Sequence, residues 1–125
     1  MTRLAFTVPL VPPGLNHYVK HTRRGRHYVT AEALAYKEAV GYMLQGRWCT
    51  GRSFAVELRI VLAKGQKGDV DGFPKMVLDG LADGGAFVDL IGRRLTDAYV
   101  RRLLVVLDCD ERPAQGRTEI VVEAI

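Results

Sequence analysis

No aspartate or glutamate occurs in the first 31 residues, and the first carboxylate is Glu32. The same stretch holds five cations, Arg3, Lys20, Arg23, Arg24 and Arg26. Such one-sided charge points to a surface that faces a polyanion, whether DNA, RNA or an acidic protein. Cysteine is scarce as well. Cys49 and Cys109 are the only two, without the spacing of a metal site and too few for a disulfide scaffold. Reduced thiols in a cytoplasmic protein are expected. Long apolar runs are absent: Leu103-Leu104-Val105-Val106-Leu107 is far too short to cross a bilayer. The opening residues lack an apolar core and a small-residue cleavage site before Pro9, so neither a signal peptide nor a membrane partner is expected. There are no repeats and no low-complexity segments.

What is present is an ordinary globular composition, 48% apolar and 26% charged, with a net charge of +4. At 125 residues the chain makes one domain, 1–125, with one core. Residues 3–9 read as a strand, broken by Pro9, Pro12, Pro13 and Gly14 into a loop that runs to Tyr28. Thr30 is placed to cap a helix over 31 to about 46, amphipathic through Leu34, Tyr36, Ala39, Val40, Met43 and Leu44. Residues 53–63 read as a second strand and 72–83 as a second helix ended by Gly84-Gly85. Val100–Leu107 reads as a central strand, and 118–124 closes a final hairpin. The expected fold is α+β, a mixed sheet with two main helices packed on it, in the order β-α-β-α-β-β.

The densest chemistry lies in Gly68-Asp69-Val70-Asp71-Gly72-Phe73-Pro74-Lys75 with Asp79. In extended backbone, Asp69 and Asp71 point to one side. Two carboxylates held together need a cation, a shared proton or solvation. With Asp71 as helix cap, Lys75 and Asp79 follow at one-turn intervals on the same face. For any single aspartate, capping is the plainer role. The pair with Lys75, behind a basic segment, favours a metal and phosphate site, whereas Asp79 suits an ion pair with Lys75. Magnesium takes hard oxygen ligands and completes its shell with water and phosphate.

The basic segment carries Asn16, Lys20, Arg23, Arg24, Arg26 and Tyr28. Charge runs are usually solvated surface, but interleaved tyrosines can stack bases while arginines hold phosphates. His17, His21 and His27 sit in an irregular loop without a zinc frame, so phosphate contact or no role is expected of them.

With those residues in view, the chain resembles the RusA family of Holliday-junction resolvases along almost its whole length. Val8-Pro9-Leu10-Val11-Pro12-Pro13-Gly14-Leu15-Asn16 is similar to the family's first strand and Pro-Pro-x-x-Asn loop. Asp69-Val70-Asp71-Gly72-Phe73-Pro74-Lys75 with Leu78-Asp79-Gly80-Leu81 resembles its Asp-x-Asp-Asn-x-x-Lys…Asp-x-Leu signature. Thr96-Asp97-Ala98-Tyr99-Val100 resembles its Asp-Asp-x-x-Val. The resemblance implies a homodimeric, magnesium-dependent (or manganese-dependent) endonuclease acting on four-way junction DNA. It implies Asp69, Asp71 and Asp97 as metal ligands, Lys75 as the catalytic lysine, and the basic segment as the junction-holding surface.

Three departures stand out. Gly72 replaces the family's Asn, Thr96 replaces an Asp, and the segment between Asp79 and Asp97 is long. Asp89 therefore competes with Asp97 as third ligand; Asp97 is preferred because it directly precedes the Val100 strand. The departures also motivate an alternative, a catalytically weakened or inactive junction binder of the same fold. A basic adaptor for an acidic protein is a third class.

Overall fold

The computed structural model describes residues 1–14, 19–21 and 27–125. Its main sheet has four strands in the order β1-β8-β5-β7. They are β1 (Arg3–Val8), β5 (Phe54–Val61), β7 (Val100–Asp108) and β8 (Arg117–Ala124). Strand β8 runs antiparallel to β1 and β5, while β7 runs parallel to β5. Helices α1 (Ala31–Leu44) and α2 (Pro74–Asp83) pack on the sheet and on each other. Smaller elements are the antiparallel ribbon β2 (Val19–His21) with β3 (His27–Val29), and the parallel pair β4 (Cys49–Thr50) with β6 (Phe87–Val88). The principal order is the expected β-α-β-α-β-β.

Two expectations about the sheet are corrected. Strand β7 is at the edge, not the centre, and β7 and β8 form no hairpin because β5 lies between them. A parallel neighbour cannot be reached by a tight turn; the chain crosses from β5 to β7 through α2. The segment expected to be an irregular loop contains the β2–β3 ribbon, with Lys20 opposite Tyr28 in the register.

Helix α1 begins where expected. The Thr30 hydroxyl accepts a hydrogen bond from the Ala33 amide at 3.2 Å. The helix ends at Gln45 and Gly46, both left-handed, with φ of 54° and 71°. Ala33, Tyr36, Val40 and Leu44 form its buried stripe, whereas Leu34, expected on that face, is half exposed. The two helices approach closely at Gly80, where a Cβ would lie 3.1 Å from the Val40 side chain. Tyr36 ties α1 to the sheet: its hydroxyl donates to Thr118 Oγ1 at 2.9 Å, which donates to the Leu10 carbonyl at 2.8 Å. Burial pushes the Tyr36 phenol well above its usual range.

The other face of the sheet carries an ion network. Arg59 pairs with Asp108, Glu111 and Glu119, and Arg117 pairs with Glu111 and Glu119. Two backbone amides and Arg59 hold the Asp108 carboxyl below its ordinary range, and Arg117 does the same chiefly for Glu111 and Glu119. Among the described residues, no helix is long and apolar enough to cross a membrane.

Candidate active site

Helix α2 has no side-chain cap. Phe73 occupies the cap position, and Pro74 fills the first turn, where a missing amide costs nothing. Asp71, expected at the cap, lies instead in a turn ahead of the helix. In that turn the Gly72 amide donates to the Asp69 carbonyl at 2.9 Å. The pair is therefore presented by a turn, not by extended backbone. The physical reason is apolar: Phe73 is buried against Ile60 and Leu62 and fixes where the helix begins. Its ring lies over Gly68, where a Cβ would come within 2.0 Å of Phe73 Cζ. Asp69 and Asp71 project from this anchored turn into solvent.

One turn into α2, the Lys75 ammonium lies 3.1 Å from Asp79 Oδ1 and 3.9 Å from Asp97 Oδ2. Lys75 is half exposed, and Asp79 is the most enclosed of the three. Asp97 opens a short 3-10 turn, Asp97–Tyr99, that runs directly into β7. The Thr96 hydroxyl accepts a hydrogen bond from the Ala98 amide at 3.3 Å and caps that turn. An ammonium thus sits between carboxylates from two elements, with the acidic turn immediately upstream on the chain.

Lys75, Asp79 and Asp97 come together, while Asp69 and Asp71 remain on their turn. All these carboxylates are hard oxygen donors, the chemistry magnesium takes. Among the described residues, no group of three or more His, Cys, Asp or Glu side chains is close enough to hold an ion. The donor set fits a magnesium site in kind, with part of the shell left to water and phosphate.

Asp89 is occupied differently. Its Oδ1 accepts from the Ile91 and Arg93 amides at 3.0 and 2.8 Å and closes its own loop. Two residues that sequence reasoning passed over flank Asp97. The Arg101 guanidinium stands 5.7 Å from the Tyr99 ring centroid and also donates to the Ala98 carbonyl. Both are exposed, and the only sequence signal was an aromatic and a cation two residues apart beside Asp97.

Gly14 lies beside the acidic turn, since a Cβ there would be 4.0 Å from the Gly72 carbonyl oxygen. A cleft of about 410 Å³, lined by Pro12, Pro13, Glu32, Lys67 and Phe73 among others, opens there. Lys20 and Tyr28 occupy opposite strands of the β2–β3 ribbon. Asn16, Arg23, Arg24 and Arg26, expected to hold DNA, lie outside the described residues.

Two comparisons bear on this arrangement. Crossover junction endodeoxyribonuclease RusA of Escherichia coli K12 is 30% identical over 92 residues, which cover 71% of this chain and 75% of that protein. The enzyme of the same name from Enterobacteria phage 82 is 31% identical over 81 residues, 62% of this chain and 67% of that protein. The chain belongs to the RusA family. No family model matches it. Within the RusA frame, the surroundings of two of the three departures can be described. A Cβ at Gly72 would meet only the Asp69 carbonyl oxygen, at 3.4 Å, so a side chain fits there. Thr96 does a capping job that an aspartate does equally well.

Proposed function

We propose that this chain is a magnesium-dependent endodeoxyribonuclease that resolves four-way DNA junctions, two copies making paired cuts. The observation that carries the reading is Lys75 held between Asp79 and Asp97 beside the Asp69–Asp71 turn, in a RusA-family chain. Asp69, Asp71 and Asp97 would hold the metal, whose chemistry is to neutralise charge on the phosphate and activate water. Lys75 is exposed enough to exchange a carboxylate for a phosphate oxygen, and Asp79 keeps its ammonium oriented until then. Thr96 fixes the backbone that carries Asp97. Tyr99 and Arg101 flank the site as a stacking surface and a phosphate contact.

The test is an end-labelled synthetic four-way junction beside linear duplex of matching sequence, with magnesium or with EDTA. Paired cuts in the junction alone, abolished by EDTA, are expected. A second reading, a junction binder without cleavage, is favoured by Gly72 and Thr96 at signature positions. Tight binding with no cut in magnesium would select it, and Gly72→Asn would be the variant to try for restored cleavage.

A further inference from the structure

The third departure, the long segment between Asp79 and Asp97, holds a loop that the candidate active site does not use. Residues 88–94 close tightly on themselves. Val88 and Arg94 bridge at the base. The Asp89 amide donates to the Arg93 carbonyl at 2.8 Å and the Gly92 amide to the Asp89 carbonyl at 3.2 Å. The Ile91 and Arg93 amides both donate to Asp89 Oδ1. These bonds hold a tip, Leu90-Ile91, that is 61% and 72% exposed. Ordering a loop costs conformational entropy, and an apolar tip fixed in water returns nothing to the chain by itself.

A second cleft, of about 370 Å³, opens beside this loop, lined by Arg47, Trp48, Gly85, Val88, Gly92 and Arg94 among others. Among the described residues its lining holds two guanidiniums and no carboxylate. Arg47 is spent on the end of α1, donating to the Leu44 and Met43 carbonyls at 2.9 and 3.1 Å. Arg94 lies over Gly85, where a Cβ would come within 3.1 Å of its Cζ. Among the described residues, no ion pair engages Arg93 or Arg94. Trp48, the chain's one tryptophan, is half exposed. The surface is cationic, aromatic and aliphatic at once.

We infer that this cleft and the Leu90-Ile91 tip dock an acidic peptide segment of another protein, one that carries a large apolar side chain. The apolar side chain would enter the cleft against Trp48 and Val88, and its neighbouring carboxylates would meet Arg93 and Arg94. The volume falls within the roughly 300–1,000 Å³ of ligand pockets. Tryptophan and arginine are the residue types that carry most energy at protein interfaces. DNA phosphates would satisfy the arginines but leave Leu90 and Ile91 uncovered, and protein–DNA interfaces are more polar than this surface. A second copy presenting the same surface would set Arg93 and Arg94 against their own kind. The inference stands apart from the nuclease reading, since none of these residues belongs to the candidate active site.

The probe is a synthetic peptide of aspartates and glutamates around one Phe and one Leu. Anisotropy of its fluorescein-labelled form gives the affinity, and Trp48 emission, titrated with the unlabelled form, reports the place. Binding at roughly micromolar concentration with a blue shift of Trp48 is expected. Lysine in place of the acids should abolish both signals, and alanine in place of Phe and Leu should weaken binding roughly tenfold. Arg94→Glu and Ile91→Ser should each raise the dissociation constant roughly tenfold or more, with melting as the fold control. Ile91→Ser, on an exposed tip, stands independently if Arg94→Glu melts early. No Trp48 shift up to roughly millimolar peptide, or binding that neither variant weakens, would overturn the inference. Linear duplex DNA that shifts Trp48 equally in wild type and Ile91→Ser would overturn it too, making the surface a DNA contact.

Discussion

Lys75 has two carboxylate neighbours, and they are not equivalent. Asp79 is a helical i,i+4 partner at 3.1 Å, legible from spacing alone. Asp97 comes from another element at 3.9 Å, and nothing in the spacing of the chain announced it; the family signature did. The choice between Asp97 and Asp89 can be made at this scale. Asp97→Asn removes the charge beside Lys75 and is expected to cut junction cleavage by roughly 10²-fold or more. Asp89→Asn keeps an Oδ1 that can accept both loop amides, so cleavage and melting temperature should stay near wild type. Single-turnover cleavage of saturated junction measures both. The reverse pattern would move the site to the Asp89 loop.

Among the elements, the turn before α2 shows what sequence reasoning can and cannot reach. The acidic pair and Lys75 were visible, but their backbone was not, because the deciding contact is the buried ring of Phe73 over Gly68. Gly68→Ala would drive a Cβ into that ring. Overpacking of this kind costs about 1–3 kcal/mol, and the turn carrying Asp69 and Asp71 must shift with it. A chemical melt should show the loss, and Gly68→Ala with Phe73→Leu should recover part of it. No recovery would mean that the ring is not what the methyl meets. The long strands and helices were legible from periodicity, and Thr30 from its position as cap. Strand β7 was misplaced for a physical reason: a run of Leu and Val reads alike whether it is covered by its own sheet or left for another surface to cover. The β2–β3 ribbon was hidden for a different reason, since its strands are only three residues each, too short to show an alternation.

For the whole molecule, the outer-face ion network sets the response to acid. Asp108, Glu111 and Glu119 have carboxyls held below their ordinary values in the folded state. The unfolded chain therefore binds protons first as pH falls, and folding loses support. Stability contributed by these groups is complete above the usual carboxylate range and lost as pH drops through their depressed folded values. Thermal melts from neutral pH downward should show a steady fall beginning near the ordinary carboxylate range, and Glu119→Gln should flatten it. An unchanged slope in that variant would assign the acid sensitivity elsewhere.

The crossover from β5 to β7 has a consequence of timing. Asp69, Asp71, Lys75, Asp79 and Asp97 all lie between the end of one strand and the start of the other. Lys75 and Asp97 are held in register only once that span is closed and β7 lies alongside β5, a distant pairing whose entropy is lost before its contacts form. In a half-folded chain these groups are separate surface charges, so the proposed site is assembled only by the closure.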